Sequence, residues 1–166
     1  MVRAGFYAIE AGKISFRRDG NWYSDDERIL NPRIALLFSR SIRRKPDDGS
    51  YFLQVAEERA PITVEDTPWV VKSLEGAARS GFTLVLNDEE REPLDPASLE
   101  IGPDNVMYAR VKGGEYRARF LRSAYYHLSD CIEGDERSGF FLKIAGQRHP
   151  LQRASRGAGD GGGAPR

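Results

Sequence analysis

The residues best suited to chemistry in this 166-residue chain are carboxylates set beside a tryptophan and a pair of similarly placed arginines. Glu65-Asp66-Thr67-Pro68-Trp69 brings two carboxylates, a hydroxyl and an aromatic wall into five positions. Such a cluster accepts hydrogen bonds from a small ligand while the indole covers the ligand's apolar part. The same string also reads as a turn, with Asp66 and Thr67 bonding nearby backbone amides and Pro68 fixing the corner. Arg59 and Arg148 each stand two residues before a proline. Two guanidinium groups so placed form a fork for a carboxylate or phosphate. Alternatively each pairs with a nearby acid, such as Glu58 or Glu65, along a strand. With Trp22, just past an Asp-Gly turn, these residues make the candidate ligand-binding set: Trp22, Arg59, Glu65, Asp66, Trp69 and Arg148.

Other chemistries lack their residues. His127 and His149 are the only histidines and have no metal-site spacing to cysteine or acid. Neither a Gly-x-Ser-x-Gly string nor a Cys-His signature supplies a nucleophile, and the only glycine cluster lies in the C-terminal tail. No catalytic residue, metal ligand or cofactor is therefore assigned. Cys131 is the single cysteine, which excludes an internal disulfide. Arg17, Arg18, Arg40, Arg43, Arg44 and Lys45 are the densest basic cluster. Asp47 and Asp48 dilute it and no aromatic residues interleave with it, so a solvated helix end is favoured over a nucleic-acid surface. Equal numbers of basic and acidic residues, 25 of each, also argue against a polyanion binder. The N-terminal residues contain no apolar run of signal-peptide length, and nowhere do 18 consecutive apolar residues occur. A soluble, cytoplasmic protein without a membrane span is expected.

The elements that hold these residues can be read from turns and periodicity. Apolar Ile14, Phe16 and Trp22 flank Asp19-Gly20, a hairpin signal. Asn31-Pro32 opens a helix, Asn as cap and Pro at the first position. Ile34, Leu37, Phe38 and Ile42 fall on one face of that helix, which is expected to end at Arg43-Arg44-Lys45-Pro46. Strands are expected at 51–55, around Ile62 and Val64, at 82–86 and at 140–144. Residues 72–81 read as a connector, Asp88-Glu89-Glu90-Arg91 as a solvated turn, and 92–105 as irregular. A hairpin turning at Gly113-Gly114 precedes a second helix with Leu121, Tyr125, Leu128 and Ile132 on one face and Gly134 as its cap.

One short pattern occurs twice. SYFLQVAEERAPI at 50–62 aligns with GFFLKIAGQRHPL at 139–151, sharing an Ala-x-x-Arg-x-Pro spacing that strand periodicity does not demand. A hairpin and an amphipathic helix precede each copy. The prediction is an α+β fold of two similar hairpin–helix–strand repeats packed into one compact unit, with mostly antiparallel strands. The repeats span 12–71 and 82–152, joined by 72–81 and followed by a disordered Gly-rich tail at 153–166. A groove between the repeats is the expected site.

Asp19-Gly20-Asn21-Trp22, the Leu37-Phe38-Ser39 helix and Val64-Glu65-Asp66-Thr67-Pro68-Trp69 resemble a bacterial domain-of-unknown-function family with a Val-Glu-Asp-x-Pro-aromatic signature. Gly113-Gly114, Tyr125-Tyr126 with Leu128, Gly139 and Pro150-Leu151 extend the resemblance through about residue 151. A Thr-Pro pair common in that family is replaced here by Val55-Ala56. The resemblance implies repeated α+β motifs and a role in signal transduction, with no established enzymatic activity. The expected function is a non-catalytic regulatory or ligand-sensing module whose partner is an unknown small molecule or protein. A protein–protein adaptor is the alternative, and an enzyme using the junction carboxylates a third.

Overall fold

The computed structural model describes residues 13–154. The segment before Lys13, and the expected tail from residue 155 onward, lie outside the described residues. Two compact units are found, with described residues 13–68 in one and 69–154 in the other.

The first unit contains β1 (Ile14–Phe16), β2 (Trp22–Ser24), β3 (Glu27–Arg28), α1 (Pro32–Arg40), β4 (Ile42–Arg44), β5 (Tyr51–Val55) and β6 (Glu58–Val64). Its six-stranded sheet has the order β3-β2-β1-β6-β5-β4. All these pairings are antiparallel except β1 with β6, which run parallel with Ser15 opposite Thr63. Alternation along β1 turns Ile14 and Phe16 inward, both wholly buried, and leaves Ser15 on the other face. The Asp19-Gly20 turn forms as expected, with the Gly20 amide donating to the Arg17 carbonyl and Asp19 Oδ1 accepting from the Asn21 amide. Asn31 caps α1 by accepting from the Arg33 and Ile34 amides, with Pro32 opening the helix.

The helix stops earlier than its periodicity predicts. The Ser41 amide bonds the Phe38 carbonyl, the Ser41 hydroxyl donates to the Leu37 carbonyl, and Ile42 enters β4 opposite Leu53. A cross-strand partner for the β-branched Ile42 outweighs continued helical spacing. Phe38 and Ser39 are the buried residues of α1, whereas Ile34 and Leu37 stand 41% and 46% exposed.

The second unit contains β7 (Trp69–Ala77), β8 (Gly81–Leu86), β9 (Arg91–Pro93), β10 (Glu100–Ile101), β11 (Met107–Val111), β12 (Tyr116–Phe120), α2 (Arg122–Ser129), β13 (Ile132–Asp135), β14 (Gly139–Ile144), β15 (Gln147–Pro150) and β16 (Gln152–Arg153). Seven strands follow the order β16-β10-β11-β12-β7-β8-β9, and β13-β14-β15 form a separate meander. The parallel pairs are β7 with β12 and β10 with β16. Residues 72–77, expected as part of a connector, instead continue β7 into a hairpin with β8. A register shift between Val71 and Ser73 breaks the alternation there and hides the strand from a period-two reading. Arg153, expected in the tail, closes β16 against Ile101. α2 ends at Ser129, so Ile132 and Gly134 belong to β13 rather than to the helix face and its cap.

Both units place a short helix ahead of a three-stranded antiparallel meander with the same local register. Ile42 faces Leu53 and Phe52 faces Pro61 in one; Ile132 faces Leu142 and Phe141 faces Pro150 in the other. Ala56 and Ala145 occupy the same turn position, both left-handed, at φ 53° and 51°. The preceding hairpins are joined differently, since β1 pairs with β6 whereas β12 pairs with β7.

A second recurrence lies within the second unit. Glu-Gly-x-x-Arg-Ser-Gly-Phe occurs at 75–82 and at 133–140. Both copies form one hairpin type, with Gly76 opposite Phe82 and Gly134 opposite Phe140. The first glycine of each is required sterically. A Cβ at Gly76 would lie 2.3 Å from the Gly81 carbonyl oxygen, and one at Gly134 would lie 2.1 Å from that of Gly139. Both also hold left-handed backbone, at φ 99° and 112°.

Gly76→Ala and Gly134→Ala should each cost about 1–3 kcal/mol, from backbone strain plus the clash. Gly49→Ala, where φ is positive but no atom lies within 4 Å, should cost less. Circular-dichroism melts of the three variants check the ranking.

Candidate functional site

The open face of the parallel β1–β6 pair forms a cleft of about 500 Å³ lined by Lys13, Ser15, Arg17, Asp25, Asp26, Thr63 and Glu65. Strand alternation places these residues together. Ile14 and Phe16 point into the core, so Lys13, Ser15 and Arg17 share the opposite face with Thr63 and Glu65. Asp25 and Asp26 come from the β2–β3 turn, both in left-handed backbone at φ 51° and 66°.

Charges in the cleft are cross-paired. Lys13 Nζ lies 3.4 Å from Asp25, Arg17 bonds Asp26 at 2.5 Å and also lies over the Tyr23 ring at 4.0 Å. Glu65 accepts from the Arg18 amide at 2.8 Å and from Arg18 Nε at 2.9 Å. These bonds from Arg18 hold the Glu65 carboxyl below its ordinary pKa. That is opposite to the raised value an enzyme would need if Glu65 were a general acid at neutral pH. Asp19 is also depressed: burial alone would raise it, but the Tyr23 hydroxyl and the Asn21 side win. No group of three or more His, Cys, Asp or Glu residues that could hold a metal occurs among the described residues.

The six sequence-selected residues do not converge on this cleft. Glu65 lines it. Trp22 is a core residue, 1% exposed, whose indole N–H donates to Ser39 Oγ at 2.9 Å. The Asp-Gly-x-Trp and Leu-Phe-Ser strings thus meet in that buried hydrogen bond. Arg59 donates to Gln54 Oε1 across the β5–β6 hairpin and stacks on Phe52 at 5.2 Å. Arg148, in the second unit, stacks in the matching way on Phe141 at 4.4 Å. Asp66 is exposed. Trp69 begins the second unit, 7% exposed, with its ring 4.6 Å from Tyr116 and its N–H directed to Asp88 Oδ2 at 3.3 Å.

Asp88, which the sequence places in a solvated turn, is in fact the centre of a buried polar knot. It is 4% exposed, accepts from Lys112 Nζ at 2.5 Å and from the Glu90 amide at 3.0 Å, and faces the Trp69 indole. Lys112 also bonds Glu90, and its ammonium lies 5.5 Å from the Trp69 ring centre. Burial alone would lower the Lys112 pKa, but the bonds to Asp88 and Glu90 raise it. Asn87 accepts from the Val70 amide, and Glu92 from the Lys112 amide. The knot ties the start of β7 to two turns. Only tertiary placement distinguishes Asp88 from its exposed neighbours Glu89 and Glu90.

Residues 8–67 match the family model for the "Domain of unknown function (DUF1285), N-terminal domain". The fold is similar to that of a DUF1285 family protein from Silicibacter pomeroyi DSS-3, with a TM-score of 0.65 at 24% identity over 86% of this chain and 80% of that one. It is also similar to a DUF1285 family protein from Shewanella baltica OS155, with a TM-score of 0.55 at 20% identity over 72% of this chain and 91% of that one. No curated protein matches. Residues 8–67 are thus similar to the N-terminal domain of the DUF1285 family, and the fold is similar to that of two of its members, in keeping with the domain-of-unknown-function family that the sequence resembles.

Glu65 is more acidic in the folded than in the unfolded chain, so its stabilising contribution is complete above the ordinary carboxylate range and is lost as pH falls through the folded value. Glu65→Gln should be less stable than wild type at neutral pH, with the two unfolding midpoints converging on acidification; parallel midpoints across pH would refute a charge contribution. Lys112→Met should cost about 3–5 kcal/mol by stranding a buried carboxylate, with part recovered in Lys112→Met/Asp88→Asn. Urea denaturation of the four combinations measures the coupling.

Proposed function

We propose that this protein is a non-catalytic ligand-sensing module of bacterial signal transduction, acting in the cytoplasm, and that the β1–β6 cleft binds a small zwitterion such as an amino acid. The observation that carries the reading is the alternation of charge around one cleft: Lys13 and Arg17 against Asp25, Asp26 and Glu65, with the Ser15 and Thr63 hydroxyls between them. A zwitterion exchanges partners there without leaving an uncompensated charge. Its carboxylate takes Arg17 or Lys13 while its ammonium takes Asp25 or Asp26, and the hydroxyls supply orientation. A dianion or dication would break one set of pairs and strand the other. The regulatory role rests on the family resemblance and on the absence of any nucleophile–base arrangement in the sequence.

The two helix–meander segments are read as copies of one element, supported by their shared register and by the left-handed Ala56 and Ala145. On that reading the cleft belongs to the first copy's surroundings alone, because the β1–β6 pairing that builds it joins the meander to its hairpin.

A thermal-shift screen of amino acids, small organic acids and nucleotides tests the proposal. A zwitterion present at about 100 times its dissociation constant should stabilise the fold by about 2.7 kcal/mol. Arg17→Ala, which removes an exposed ion pair, should abolish that shift while leaving the fold intact. No shift with any zwitterion at millimolar concentration, or a shift that survives Arg17→Ala, would sink it.

A further inference from the structure

α1 carries an apolar stripe on the side turned away from its own core. Leu30, just before the Asn31 cap, is 80% exposed, and Ile34 and Leu37 follow at the four- and three-residue spacings that align side chains on a helix. Arg33 and Arg40, seven residues apart and both exposed, run beside this stripe. Arg28, Arg43, Arg44 and Lys45 extend the positive charge. From Arg28 to Pro46 the chain holds six basic residues and no acidic one, within a protein whose formal net charge is zero. The helix is held in place from its other side by buried Phe38 and by the Trp22–Ser39 hydrogen bond, so the stripe sits on a rigid support.

We propose that this face of α1 docks an acidic amphipathic helix of a partner protein. The stripe is one helix wide, which suits the apolar edge of a single partner helix carrying anchors three and four residues apart. The net positive charge from Arg28 to Lys45 favours carboxylates over further cations beside those anchors. A second copy of this chain fits poorly, because a two-fold contact would set Arg33 and Arg40 against themselves. An anionic membrane would satisfy the charge, but the stripe consists of three aliphatic residues with no Trp or Tyr to anchor it at an interface. The proposal concerns a different surface from the β1–β6 cleft and stands or falls independently of it.

The test uses the whole protein and a synthetic helical peptide of about 18 residues, long enough to form helix, with leucines at three- and four-residue spacing and glutamates elsewhere. A second peptide substitutes lysine for glutamate, and vesicles of phosphatidylglycerol and phosphatidylcholine supply the membrane arm. Fluorescence anisotropy should show the acidic peptide binding, weakening as salt rises, and the lysine peptide not binding. Methyl NMR should place the perturbed signals at Leu30, Ile34 and Leu37. Ile34→Glu/Leu37→Glu, at positions exposed in the native fold, should weaken binding by at least about ten-fold. Arg33→Glu/Arg40→Glu should reverse the preference between the two peptides. Equal binding of both peptides, binding of neither, binding to vesicles alone, or self-association lost in Ile34→Glu/Leu37→Glu would overturn the proposal.

Discussion

A buried indole N–H must find an acceptor, and each unit is organised around satisfying one. Leaving such a donor unpaired in an apolar core costs about 1–3 kcal/mol, so the acceptor's position constrains the element that bears it. In the first unit Trp22 sits 4.8 Å from Phe16 and 5.5 Å from Phe38, with the hydroxyl of Ser39 as acceptor. That bond fixes the rotation of α1. With Phe38 and Ser39 turned inward, helical geometry turns Leu37 outward and leaves Ile34 at the flank. The exposed apolar stripe is thus the other side of a core requirement. In the second unit the Trp69 indole meets a carboxylate, and a buried carboxylate needs a cation, which Lys112 provides from the β11–β12 turn.

The two polar assemblies solve opposite problems. Lys112 and Asp88 are largely shielded from water and held from several sides, an arrangement that locks turns together. The charges over β1 and β6 lie on an open strand face, with Lys13 and Asp25 side chains 43% and 62% exposed. Exposed pairs contribute little to stability and exchange partners readily. This difference, more than residue type, separates a structural knot from a surface able to receive a ligand.

Local signals in the sequence were legible where a residue's role is decided by its immediate neighbours. Asn31-Pro32 opens a helix because its cap acts within three residues, and Asp19-Gly20 turns a hairpin for the same kind of reason. The Ala-x-x-Arg-x-Pro spacing marked the two meanders because hairpin register ties Phe52 to Pro61 and Phe141 to Pro150. Helix ends were misplaced because Ile42 and Ile132 fit a helical face as well as a strand, and only their partners Leu53 and Leu142 decide. The candidate site was legible only at Glu65. Lys13, Ser15 and Thr63 carry no motif; a parallel pairing between strands nearly fifty positions apart assembles them. The Glu-Gly-x-x-Arg-Ser-Gly-Phe recurrence was present in the sequence, and the steric demand at Gly76 and Gly134 supplies its meaning.

The parallel pairing of β1 with β6 also sets the order in which the first unit can be completed. The β1–β2 hairpin and the β4–β5–β6 meander involve near neighbours and can form early as the chain leaves the ribosome. Their union waits for Ile62–Val64, because those residues are the partners of Ile14–Phe16. Until then the edge of β1 that faces away from β2 is unpaired. The second unit faces the same delay twice, since β7 waits for Ala118–Phe120 and β10 for Gln152–Arg153. Long-range closure of this kind slows folding relative to local pairing. The chain therefore emerges as two successive folding problems, each resolved by a strand that arrives last.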